Sequence, residues 1–264
     1  MLSSVATKWL WDARRSIGAW TLAIALVGGT YAAFWPIIDS PEIQEGLESY
    51  PEGLLDALNY DDLSTPAGYL TASVYGLIVA VLLLVYSLVA GTRTIAGDEE
   101  AGTLELIMAQ PVSRTRVALS RFVAFLISLV IIAVVFLLVM VALSGPADLS
   151  GITVGQFAAM HLHLFLFASF FGAVAFAVGA ATGRRGLAYG AGAAVGVLGY
   201  FASGIIPQVE GFEWVEAFSP FDWLIGSDPL RDGVDPADTL LMAVLVSVLV
   251  AAGTWRFNRR DVGV

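Results

Sequence analysis

The sequence predicts an all-α membrane protein with six transmembrane helices and both termini on the cytoplasmic side. Three observations carry that reading. Of 264 residues, 58% are hydrophobic and only 14% are charged, against about 25% charged in an ordinary soluble domain. Six apolar runs, near residues 16–38, 67–90, 122–143, 157–182, 187–206 and 239–257, contain no Asp, Glu or Lys and a single Arg, Arg256 at the end of the last, and about 20 apolar residues suffice to cross a bilayer as a helix. The loops between the runs alternate in charge. Backbone facing lipid must satisfy its own hydrogen bonds, so the runs are read as helices. One membrane domain, 1–264, accounts for the chain.

The charge ledger sets orientation. Lys8, Arg14, Arg15, Arg93, Arg114, Arg116, Arg121, Arg184, Arg185, Arg256, Arg259 and Arg260 fall on one side, leaving Arg231 alone among 13 basic residues on the other. The acids divide the opposite way, 17 of 23 lying in 39–65, 144–156 and 207–238. Lys and Arg near span ends mark the cytoplasmic side. Arg184 and Arg185, in a turn with no spare length, fix that turn there. The chain is therefore expected in the cell membrane.

The first run follows Lys8, Arg14 and Arg15 and is too long for a signal-peptide core, so it is read as a retained span. Trp9, Leu10 and Trp11 lie among charged residues just before it. They suggest a short interfacial helix lying on the bilayer, with a cytoplasmic extension of the first span as the alternative. Pro66 opens the second run where a helix tolerates proline. Trp20, Trp35, Tyr69, Tyr86 and Trp255 flank the spans as an aromatic belt does.

Several function classes are excluded. Without cysteine there is no disulfide framework or thiolate metal site. A net charge of −10 does not suit nucleic acid. No phosphate-binding loop, H-E-x-x-H or G-x-S-x-G motif occurs. His161 and His163 are the only histidines; two positions apart, they point to different sides of a helix. They fall near the outer end of the fourth span, within reach of water, and a packing or interfacial role is preferred to an enzyme centred on them. The spans lack the charged ladder of an ion-coupled carrier, so if the chain moves anything uphill the energy has to come from a partner.

That partner's site is sought between the second and third spans. Leu104, Ile107 and Met108 share one face of a short helix, with Thr103 as its N-cap and Glu105 in its first turn, where the dipole favours an anion. Pro111 ends it and Ser113 can cap the next helix. Asp98, Glu99 and Glu100 would be repelled by an anionic leaflet, which favours a protein surface.

Gly102-Thr103-Leu104-Glu105, then Pro111-Val112-Ser113-Arg114, together with Ser219-Pro220-Phe221 in the outer loop, resembles type-two ATP-binding-cassette (ABC) exporter permeases over essentially the whole chain. The resemblance implies a coupling helix docking into a separate ABC ATPase, with Asp98, Glu99, Glu100, Gly102, Thr103, Leu104, Glu105, Ile107, Met108, Pro111 and Arg114 in or beside it. It also implies an interfacial helix at Trp9 and Trp11. Asp98, Glu99 and Arg121 depart from the family's common glutamate, basic residue and lysine. This chain would bind no cofactor, ATP and Mg belonging to the ATPase. A second permease copy or paralogue and the lipid bilayer would be its other partners.

Gly186-x-x-x-Gly190 and Gly192-x-x-x-Gly196 in the fifth span are close-approach patterns, for packing or for a pathway wall. The aromatic loop 207–238 is expected to fold into short helices capping the outer side, and 39–65, with Leu47, Leu54, Leu55 and Leu58, into one amphipathic helix or a linker. The leading function is an exporter permease that performs no chemistry. Alternatives are a permease serving maturation of an extracytoplasmic protein, an intramembrane enzyme at His161 or His163, and a passive scaffold.

Overall fold

The computed structural model describes residues 2–47, 63–109 and 111–261, and among these no strand occurs. Among the described residues six helices are long and apolar enough to cross a membrane: Val5–Ile38, Pro66–Arg93, Arg114–Leu143, Val154–Thr182, Arg185–Gln208 and Pro236–Arg259. Each contains an expected span and most run past it, because capping chemistry sets the ends. Thr65 accepts from Gly68 N at 3.1 Å, with Pro66 in the first turn. Ser113 accepts from Arg116 N at 3.3 Å, so the third helix starts eight residues before its apolar run. Thr153 and Gln156 form a reciprocal capping box, and Asp235 accepts from Asp238 N at 2.8 Å.

The fourth span is the axis of the bundle, contacting the second, third, fifth and sixth. Its Phe167, Phe171 and Phe176 are fully enclosed. The first span packs on the third and on the N-terminal half of the second. The outer faces of the third and sixth spans leave Leu138 and Val248 more than half exposed, as helices surrounded by hydrocarbon should.

The separate interfacial helix does not form. Leu2–Ala33 is one uninterrupted helix, the arrangement weighed as the alternative. The reason is a continuous buried stripe: Trp9, Ala13, Ile17 and Ile24 all face inward, so packing does not stop where the apolar run begins. Trp11, two positions from Trp9, points outward and carries the Arg14 guanidinium 4.0 Å from its ring centroid.

The N-terminal half of the second span, Leu70–Val79, is a π-helix, a rare widening that shifts the register of side chains. Gly76 sits where it is tightest: a Cβ there would stand 2.8 Å from the Thr71 carbonyl oxygen. Beyond the first span only Pro41–Leu47 of the outer loop is described as helix, and Leu54, Leu55 and Leu58 lie outside the described residues.

Candidate functional site

The N-terminal helix, the segment after the second span, the turn between the fourth and fifth spans, and the end of the sixth span gather at one arginine-rich end. Ala96–Glu100 and Leu104–Met108 are two short helices joined through Gly102, whose φ of 68° favours glycine. Leu104 is buried and Ile107 and Met108 are half-buried on the same face, while Glu105 and Leu106 point outward, Leu106 with 71% of its surface exposed. Thr103 stands at the N-cap position, but its hydroxyl makes no cap and donates instead to Asp98 O at 3.2 Å. Pro111 is exposed in a bend.

The three acids are held by arginines of the same chain. Arg121 donates to Thr94 O at 2.7 Å and to Asp98 Oδ2 at 2.5 Å. Arg260 grips Glu99 with both terminal nitrogens, and its Nε donates to Ala180 O at 2.7 Å. Glu100 accepts from the backbone N of Arg185 at 2.8 Å and pairs with its side chain at 3.3 Å, while Arg185 donates to Gly97 O. Glu100 thereby sits at the N-terminus of the fifth helix, where an anion is favoured. Asp98 and Glu99 are therefore inward-turned: the protein surface that holds these acids is their own bundle. Arg114 reaches Arg260 O at 2.5 Å and Phe257 O at 3.3 Å, a cation on the carbonyl end of the sixth helix.

Gly183 completes the cluster. It ends the fourth helix at φ 71°, and a Cβ would stand 2.6 Å from Glu99 Oε1. Neither Gly183 nor Arg260 is singled out by sequence reasoning; the one available signal is that buried acids need basic partners. Trp9 closes the other side, in a cleft of about 450 Å³ with Lys8, Asp12, Arg93, Asp98 and Leu106.

The fifth-span glycines divide. Gly192 and Gly196 receive Leu88 and Leu84 of the second span, at 2.1 and 2.7 Å from their absent Cβ positions. Gly186 and Gly190 face open space. Backbone meets backbone elsewhere: a Cβ on Gly91 would stand 2.5 Å from Gly172 O.

At the opposite end, loop 207–238 folds into the short turns Ile206–Gln208, Glu213–Phe218 and Asp222–Ile225. Its aromatics separate. Phe221 and Trp223 pack on Phe167 and Phe170 at centroid distances of 5.1 and 5.6 Å, while Phe212, Trp214 and Phe218 stay exposed. Ser219 donates to Gly199 O at 2.7 Å and accepts from Phe221 N at 3.1 Å. Burial, and then the neighbouring Glu216 and Asp238 carboxylates, push the Asp222 carboxyl up to about 6.

His161 and His163 are buried, not within reach of water, and they serve different neighbours. His161 Nδ1 lies 2.7 Å from Phe157 O with its ring edge-on to Tyr75. His163 Nδ1 lies 3.2 Å from Trp223 O, and Nε2 lies 3.4 Å from Thr239 Oγ1. Among the described residues no cluster of His, Cys, Asp or Glu could hold a metal.

Six spans with the fourth at the axis, and a short amphipathic helix at one end, define a multi-pass membrane permease. The chain belongs to the ABC-2 family transporter proteins, whose family model matches residues 4–262. Permeases of this family are generally non-catalytic transport components and typically work with an ABC ATPase. No curated protein matches the chain.

Proposed function

We propose that this chain is the transmembrane permease subunit of an ATP-driven ABC exporter, forming the substrate pathway and coupling to a separate ATPase subunit through Leu104–Met108. Orientation follows from the arginines: the end carrying this helix faces the cytoplasm, with both termini. The observation that carries the reading is a small lever on a fixed base. Glu105 and Leu106 project from the bundle, while Asp98, Glu99 and Glu100 behind them are tied to the third span, the end of the sixth and the start of the fifth. A push on the projecting helix is thus delivered to three spans together. Two permease chains pair, each docks one ATPase, and ATP with Mg binds only there. The uncharged spans suit an apolar or amphipathic cargo.

The test is co-purification of the full chain with its candidate ATPase. Leu106→Asp and Glu105→Arg should abolish the complex and the coupled ATP turnover while leaving the permease folded. If both variants still bind and stimulate the ATPase normally, this helix is not the docking element.

A further inference from the structure

An apolar groove lies away from the coupling cluster. It runs between the first and third spans, encloses about 710 Å³, and is lined by Gly18, Leu22, Ala25, Ile131 and Val135 among others, with Arg14 its only charged residue. A Cβ on Gly18 would meet nothing within 4 Å, so the first helix leaves real space there. Thr21 is the only other polar side chain on its wall, and its hydroxyl is spent on Ile17 O at 2.8 Å. The interior therefore accepts hydrocarbon and nothing that needs hydrogen bonds.

Its ends define the occupant. Toward the acidic end the two helices close: a Cβ on Gly28 would stand 2.6 Å from Phe136, and one on Gly29 3.1 Å from Val139. Leu10 lines the mouth beyond Arg14, and from Arg14 inward to Leu26 the groove runs about 18 Å at 1.5 Å per residue, close to half of a hydrocarbon core about 30 Å thick. A partner's transmembrane helix would need the full thickness; one acyl chain of one leaflet needs only this. At the open end, Arg14 stacks on Trp11 and donates to Trp11 O at 2.6 Å, a contact that fixes the side chain. It makes no ion pair among the described residues. An unneutralised guanidinium thus stands at headgroup level at the mouth of a hydrocarbon-sized slot.

We propose that this groove binds one anionic phospholipid of the arginine-side leaflet, its acyl chain between the first and third spans and its phosphate on Arg14. Charge complementarity selects an anionic over a zwitterionic headgroup, and the site stands whether or not Leu104–Met108 docks an ATPase.

The purified full chain is examined by native mass spectrometry with phosphatidylglycerol and phosphatidylcholine, and by photo-crosslinking to phosphatidylglycerol carrying a diazirine in one acyl chain. Phosphatidylglycerol should be retained about fivefold better, the worth of about one surface arginine. Crosslinks should fall within 17–26 and 131–139. Arg14→Gln should erase the preference, and Gly18→Leu should fill the slot and remove the crosslinks. Arg14 is exposed, so its variant decides the matter even if Gly18→Leu fails to fold. Equal retention of the two lipids, a preference that survives Arg14→Gln, or crosslinks spread over the sixth span would overturn the site. So would spontaneous chain-to-chain disulfide formation by Gly18→Cys, readable because the chain has no cysteine, since a second copy would then occupy the groove.

Discussion

Arg260 closes on Glu99 across 161 positions of sequence, Nη1 lying 2.5 Å from Oε1 and Nη2 bonding Oε2. Both side chains are 11% exposed. The pair joins the last turn of the chain's final span to the segment behind the projecting helix, directly over Gly183. Removing one member strands a desolvated charge, which costs about 3–5 kcal/mol in comparable buried pairs. Glu99→Gln and Arg260→Gln should each lower the apparent Tm in detergent, and the double variant should lose clearly less than the sum. Additive losses would mean that the two side chains are not coupled.

This pair also marks where the sequence stops being readable. The spans are legible because hydropathy is a local property: a run such as 122–143 announces its own burial. Helix ends are less so: Ser113 is legible as a cap, but Thr153 and Asp235 extend helices past their apolar runs through hydrogen bonds that hydropathy does not register. The sequence does place Asp98, Glu99 and Glu100 at a protein surface, but it does not reveal that the surface is their own bundle. Their partners Arg121, Arg260 and Arg185 are brought near only by the tertiary fold. The first helix misleads for a related reason: charged residues before an apolar run suggest a boundary, while the stripe Trp9, Ala13, Ile17 carries packing straight through it.

Glycine substitutions should separate contact from pattern. Gly91 meets the backbone of Gly172, which cannot rotate away, so Gly91→Ala should destabilise by about 1–3 kcal/mol through overpacking and push the second and fourth spans apart. Gly186→Ala and Gly190→Ala enter open space within a helix and should be neutral or stabilising by up to about 1 kcal/mol. Thermal unfolding of the three purified variants compares them directly. Equal losses at all three positions would show that helix approach at Gly91 is not limiting.

Ser219 holds the outer loop to the fifth span by one hydroxyl that both donates and accepts. Ser219→Ala leaves Gly199 O and Phe221 N without that partner, at a cost of about 1–3 kcal/mol. The loss should be local. Hydrogen exchange should accelerate across 212–232 while the fourth span keeps its protection; unchanged exchange in the loop would mean that the Phe221 and Trp223 packing suffices alone.

Asp222 gives the same loop a pH response. Its pKa is raised from the ordinary 3.8 to about 6, so between these values the folded loop holds a proton that the unfolded chain has released. Stability must then fall as pH rises through this window and level off above it. The cause is burial first, with Glu216 and Asp238 adding repulsion once Asp222 ionises. Asp222→Asn keeps the shape and removes the charge. It should leave loop stability unchanged near pH 4, raise it at pH 7 to 8, and flatten the decline between. Limited proteolysis of the outer loop across that range reads the difference. A wild-type loop that grows more resistant as pH rises from 4 to 6 would reverse the sign and remove Asp222 as its cause.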